Sequence, residues 1–336
     1  MSPIERARKS APVTAIVMVL FAGLFPAGAD CAENAAIRPI EKWATAFGGS
    51  EFVQHFSVTT NRQLSTRATW TLSIKERILA RGAAAFEARP DAPGQVEIRL
   101  KLPEAKPGIV LELSLAVSLG EDNEGSRAVK QLWIFPKDPF LDQRQWLENL
   151  KISLFDPEKK TARVLTEMKI PFTETRDVSS VREGTLIIGE GVSFREFRRL
   201  PKNMADAASR GVAVLCLAPA AGEMMIPGLE PGGTLQPQRL TLGRLDIIKE
   251  FDARLDATSW PPDGKIISGS ILPTGRRSGI SGEVSPDARG WPWMIATFGE
   301  GDGRLVLCGF AIIEKWESGP TPRFFFKQVL KQLDQR

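Results

Sequence analysis

The sequence predicts a multidomain chain, an all-β sandwich followed by an α/β domain of three layers, and three observations predict it. Between residues 51 and 136, apolar and polar residues alternate in short runs broken by turn formers. From residue 151 onward, runs that are apolar throughout are separated by helical segments, as a parallel sheet covered on both faces requires. The chain has 336 residues, 43% of them hydrophobic and 25% charged, which is enough for two cores of ordinary size.

Residues 1–29 read as a signal peptide. Arg6, Arg8 and Lys9 precede the apolar run VTAIVMVLFAGLF, and Ala27-Gly28-Ala29 suits cleavage before Asp30. An exported protein, periplasmic or extracellular, is therefore expected. A membrane enters only if the leader stays uncleaved, since Ala11 to Ala29 carries no charge and nearly spans a bilayer. Asp30 ahead of Cys31 does not fit a lipoprotein signal. Cleavage removes three positive charges and one negative, so the formal net charge falls from +4 to +2. With no basic stripe interleaved with aromatics, nucleic acid is not an expected partner. Basic clusters in KNMADAASR and FREFRRL read as solvated helix faces.

The sandwich is placed at residues 38–137. EFVQHFSVTT, RATWTLSIKERILARGAAAFEA, GQVEIRLKLP, GIVLELSLAVSLG and AVKQLWIFP are its strands, with breaks at RPDAPG, PEAKPG and GEDNEG. Residues 138–150, PFLDQRQWLENL in the main, read as a linker whose apolar end packs the two parts together.

The α/β part is placed at residues 151–336. KISLFDP is a short strand ending in Asp156-Pro157, which starts the helix EKKTARVLTEM. IPFTET is a second strand. GTLIIGEGVSFREFRRLPKNMADAASRGVAVLCLAP gives strand, glycine turn, helix and strand, with Ser193 and Glu196 at capping-box spacing and Pro201 as a kink. RLDIIKEFDARLD reads as a helix, and WPWMIATFGEGDGRLVLCGF as a hairpin at the far edge of the sheet. FFFKQVLKQL closes the chain as a helix capped by Thr321, with Pro322 at its first position.

This order, with the GEG turn, the strand RGVAVLCLAP and the hairpin GEGDGRLVLCGF, resembles the class I glutamine amidotransferase-like fold, a flavodoxin-like sheet, over about residues 150 to 334. The preceding part, with LARGAAAFEA and QLWIFPKD, resembles the Ig-like sandwiches appended to secreted glycoside hydrolases of the β-galactosidase type. The first resemblance implies a cysteine nucleophile, a histidine base and an orienting acid. Cys216 matches the nucleophile position only loosely, being followed by Leu217-Ala218-Pro219. The only histidine, His55, lies in the sandwich. Amidotransferase activity is therefore not expected.

Asp156, Glu190, Pro219 and Phe310 each close an inferred strand, so they gather at the carboxyl edge of the sheet, where open α/β folds place ligands. Glu314, Trp316, Glu317 and Arg323 lie in and after the loop leaving the last strand. A tryptophan beside carboxylates and an arginine suits a sugar or an anion. Asp156, Glu190, Glu314, Trp316 and Arg323 are thus the expected ligand-binding residues, against the bland alternative of a helix cap, a solvated acid, a seam plug and an ion pair.

The leading expectation is an exported non-catalytic binding protein for a glycan or an extracytoplasmic protein. The alternative is a hydrolase of a carbohydrate or ester that uses Asp156 and Glu190 as acid and base. No cofactor is implied, and neither is a metal, because the chain has one histidine and no CxxC. Three cysteines leave open whether Cys216 and Cys308 are bridged.

Overall fold

The computed structural model describes residues 35–119, 126–229, 236–257, 260, 264–276, 279–286, 289–299 and 303–335. The expected leader and Cys31 lie outside the described residues.

Eight strands form the N-terminal part: β1 (Ala35–Pro39), β2 (Thr45–Phe47), β3 (Glu51–Thr60), β4 (Leu64–Ile74), β5 (Arg77–Ala88), β6 (Gly94–Lys101), β7 (Leu111–Leu119) and β8 (Arg127–Phe135). They make two sheets, in the orders β1-β3-β6 and β2-β8-β7-β4-β5. Alternation decides which face is wet: Phe52, Phe56 and Val58 of β3 point to the same core as Leu113, Leu115 and Val117 of β7. The run RATWTLSIKERILARGAAAFEA is a hairpin, because Lys75, at φ 51°, turns the chain between β4 and β5.

The C-terminal part begins with α1 (Arg144–Asn149), β9 (Ile152–Phe155), α2 (Lys160–Glu167), β10 (Thr173–Glu174), a 3-10 turn at Val178–Ser180 and β11 (Thr185–Ile188). It continues with α3 (Leu200–Ser209), β12 (Ala213–Leu217), β13 (Glu223–Met225), β14 (Arg239–Gly243), α4 (Ile247–Phe251), β15 (Ser270–Arg276), β16 (Gly279–Ser285), β17 (Trp293–Phe298), β18 (Gly303–Cys308) and α5 (Pro320–Asp334). A seven-stranded sheet has the order β10-β9-β11-β12-β18-β17-β14, and a small sheet the order β13-β16-β15. The large sheet is mixed. β9 to β12 and β18 run parallel, whereas β17 and β14 are antiparallel to their neighbours. Residues of α2, α4 and α5 share one core on one face, and those of α3 share another with Met224, Ile271 and Val284 of the small sheet.

This corrects the expected fold class and the resemblance to a flavodoxin-like amidotransferase. The structure is 43% strand and 17% helix, with several mixed sheets, so it is not a sandwich followed by a helix-rich three-layer domain. The departure is concentrated in residues 220–290, which read as loop and helix apart from a run near KIISGSILP, yet supply four strands, β13 to β16. RLDIIKEFDARLD yields only the five residues of α4, because Asp252, at φ −157°, is already extended and its carboxylate accepts from the Arg254 backbone. The β17–β18 hairpin is not at the edge: β14 lies outside it.

Helix starts also differ in detail. Pro201 stands in the first turn of α3, where its missing N–H has no partner to lose, so it opens a helix instead of kinking one. Gly319 precedes α5 and Pro320 opens it, leaving Thr321 Oγ1 to accept from the Asp256 N–H at 3.3 Å.

Cys216 and Cys308 are both free. The registers pair Cys216 with Leu307 and Leu217 with Cys308, so the two thiols point to opposite faces of the sheet and lie in separate cores. Burial pushes both thiols well above the usual cysteine range. Titration with a thiol reagent should therefore leave these two unmodified in the native protein and expose them only in denaturant. Rapid reaction of either one in the folded chain would contradict this packing.

The two parts meet across a polar seam. Asp256 accepts from the Ala44 N–H at 2.9 Å and the Thr45 hydroxyl at 2.6 Å, and Lys327 donates to the Pro139 carbonyl at 2.7 Å. Phe135 of β8 meets Phe324 of α5 with ring centroids 4.6 Å apart.

Candidate functional site

The strand ends that sequence reasoning picked are brought together, and their side chains turn inward. Asp156 and Glu190 follow β9 and β11, which are hydrogen-bonded neighbours. Asp156 is 6% exposed. Its Oδ2 accepts from the Ala162 N–H at 2.8 Å, in the first turn of α2, as an acid at a helix N-terminus should. Its Oδ1 is buried with no partner. Gly189 is required beside it, since a Cβ there would stand 2.6 Å from that oxygen.

Glu190 is 8% exposed and both its oxygens are occupied. The Ile313 N–H donates to Oε2 at 2.7 Å and the Glu314 N–H to Oε1 at 2.8 Å. The Glu190 N–H itself donates to Thr161 Oγ1 at 3.0 Å. Burial pushes this carboxyl up to about 7, with the two backbone donors pulling the other way. Glu190 thus fastens the β11 loop to the loop after β18. Lys160, exposed and paired with Glu158 at 2.6 Å, feels both Asp156 and Glu190.

Glu314, Trp316 and Arg323 do not converge on an open cleft. The Glu314 carboxylate is half exposed and accepts from the Ser268 hydroxyl at 2.9 Å. Trp316 is 3% exposed and packs edge-on against Phe326 at 5.8 Å. Arg323, 8% exposed, donates to the Trp316 carbonyl at 2.8 Å, the Lys137 carbonyl at 2.9 Å and the Glu317 carboxylate at 2.5 Å. Its guanidinium lies 4.8 Å from the Phe47 ring centroid. Arg323 therefore ties α5 to the β18–α5 loop, to the end of the sandwich after β8 and to β2. All eight tryptophans lie among the described residues and each is at least half-buried. The single histidine is elsewhere, on β3, where its hydrogen bond to Glu41 holds it above the usual histidine range.

The accessible concavity lies one step away. A groove of about 760 Å³ runs between α3 and the edge of the small sheet, beside the loops leaving β11 and β12. Phe194, Pro201, Ala205, Met224 and Val284 give it an apolar lining, with Arg195, Arg198 and Lys202 on the α3 side and Glu223 and Glu283 on the strand side. Gly222, at φ 103°, makes the turn that delivers β13 to this edge. A Cβ there would lie 2.5 Å from the Arg195 nitrogen. Sequence reasoning missed this groove because FREFRRL read as a solvated helix. It is instead a run of turns ahead of α3, exposing Arg195 and Arg198. A legible signal was present in GEMMIPG, two methionines enclosed by turn formers close behind a buried strand. Among the described residues, no group of three or more metal-ligating side chains could hold a metal ion, and no helix is long and apolar enough to cross a membrane.

No family model matches the chain, and no curated protein matches it either. Solved structures similar to parts of it include a cycloisomaltooligosaccharide glucanotransferase of Paenibacillus sp., at 8% identity and TM-score 0.27, covering 76% of this chain and 34% of that one. The sporulation control protein Spo0M of Bacillus subtilis is similar at 15% identity and TM-score 0.24, over 35% of this chain and 56% of that chain. A β-glucosidase from Listeria innocua is similar at 9% identity and TM-score 0.22, over 30% and 16% of the two chains. Carbohydrate-active enzymes are thus among the neighbours, and the chain spans only part of each. Likenesses this slight carry no argument about mechanism.

Proposed function

We propose that this chain is an exported, non-catalytic binding protein whose ligand enters the groove beside α3. The observation that carries the reading is the contrast between two neighbouring places. At one, the Glu190 oxygens are both taken by backbone amides, and Asp156 gives one oxygen to α2 while its other is buried, so neither group presents a solvent-open oxygen to a substrate. At the other, an apolar groove rimmed by charge opens beside the carboxyl ends of β11 and β12, where α/β sheets take ligands. Export rests on the leader pattern of residues 1–29. Between the two ligand classes, an extracytoplasmic protein is favoured over a glycan, because no tryptophan lines the groove and sugar sites draw on exposed rings.

Incubation with chromogenic glycosides and esters between about pH 5 and 8, where carboxylate acid/base pairs operate, tests the non-catalytic half. No turnover above the buffer rate is expected for the wild type. Turnover lost on Asp156→Asn or Glu190→Gln, with the fold retained, would overturn the reading and restore the hydrolase.

A further inference from the structure

The small sheet ends at the groove. β13 pairs with β16 and, among the described residues, with no other strand. The Val284 N–H donates to the Gly222 carbonyl and the Ile226 N–H to the Ile280 carbonyl, both directly across the ladder. In an antiparallel pair this parity gives residues 222, 224 and 226 to β16 and turns the Met225 N–H and C=O outward. An outward edge of this kind accepts a further strand. Met224, on the alternate face, is buried in the core shared with α3, so a strand laid on this edge would place every second side chain in the apolar groove.

Charge selects the occupant. Arg195 and Arg198 are exposed at the groove and have neither a hydrogen bond nor an ion pair among the described residues. Lys202, by contrast, is already held by Asp206 at 2.8 Å. Two guanidinium groups without partners suit a carboxylate, which they can grip with paired N–H donors. On the opposite side, Glu223 and Glu283 face each other across the ladder, which disfavours a second acid in the adjoining positions of the strand.

We propose that the groove captures an extended segment of a partner protein, which joins β13 as an additional strand, sinks apolar side chains beside Met224 and offers a carboxylate to Arg195 and Arg198. This rests on the binding reading above and deepens it. The edge is short, so the capture is reversible and depends on charge as well as on main-chain bonds.

Selection of random decapeptides displayed on phage against the immobilised protein provides the probe. Enriched peptides should carry an Asp or Glu flanked by apolar residues. Their affinity, read by fluorescence anisotropy, should fall about tenfold or more in the double variant Arg195→Glu/Arg198→Glu, equivalent to the loss of one good charged contact. N-methylation of alternate peptide amides should abolish binding at one parity and spare it at the other, because only one set faces β13. That comparison alters the peptide alone, so it stands even if a protein variant misfolds. Peptides that bind equally to the double variant, or that tolerate N-methylation at both parities, would overturn this inference while leaving a binding protein. Binding of an oligosaccharide panel instead of peptides, lost in the double variant, would also overturn it and make the groove a sugar site. No binding of either class would sink the functional reading itself.

Discussion

Glu190→Ala should destabilise the protein by about 2–5 kcal/mol, since it leaves two buried backbone donors unpaired at about 1–3 kcal/mol each. The two orphaned donors are the Ile313 and Glu314 amides, and the loop after β18 loses its attachment to β11. Glu190→Gln is the more informative substitution. An amide accepts at one end only, so one backbone N–H faces another donor, and the cost is about 1–3 kcal/mol. It also removes a titration. The folded carboxyl is pushed up to about 7, above the ordinary 4.5, so between these values the folded state holds a proton that the unfolded chain has lost. Stability then falls as pH rises through that window, by about 3 kcal/mol. Urea melts at pH 5 and pH 8 should therefore show the wild type's advantage over Glu190→Gln shrinking with rising pH. An advantage that grows instead would mean the carboxylate is stabilised in its charged form, against the burial described.

Arg323→Ala should also cost about 2–5 kcal/mol, from carbonyl acceptors left without a donor and from lost packing, the Glu317 carboxylate being exposed. It strips the Trp316 and Lys137 carbonyls of a donor and leaves a gap against Phe47. Arg323→Lys should recover only part of this, since a single ammonium cannot reproduce a planar fork that serves three acceptors and stacks on a ring. Because the same side chain joins α5 to the end of the sandwich after β8 and to β2, calorimetry has a second readout. The wild type should unfold in one transition, and Arg323→Ala should separate it into two. Two transitions already present in the wild type would show that the seam does not couple the parts.

What the sequence disclosed follows from periodicity. Runs buried on both faces, such as TLII and AVLCL, were legible as strands of a covered sheet, and EFVQHFSVTT as a half-wet strand, because burial writes itself into spacing. What it hid lies in residues 220–290. RLTLG and GISGEVS are short and rich in small or polar residues; RLTLG pairs with β17, some fifty residues further on, and GISGEVS pairs with the adjacent β15 through few strongly apolar residues, so no local pattern announces either. The resemblance to a flavodoxin-like domain rested on the legible strands and was extended over the others.

The candidate residues fared similarly. Closing a strand placed Asp156 and Glu190 at the expected edge, but the direction of their carboxylates depended on the loop after β18 and on the first turn of α2. Trp316 and Arg323 were legible as a pair near the last helix, whereas the covering by Phe47 and Lys137 comes from the sandwich, far away in the chain. Arg195 and Arg198 were passed over because a dense basic run is most simply a solvated helix, and the turn that exposes them is set by Gly222 behind it.

The central claim is that the buried carboxylates hold the scaffold while the neighbouring groove does the binding. It is tested most directly by binding isotherms of one selected peptide on the wild type, Glu190→Gln and Arg195→Glu/Arg198→Glu at pH 5, with melting recorded on the same samples. Glu190→Gln should melt lower and bind as the wild type does, while the arginine double variant should melt as the wild type does and lose binding. The reverse pattern, with binding lost on Glu190→Gln at unchanged stability, would contradict it and move the site back to the carboxylates.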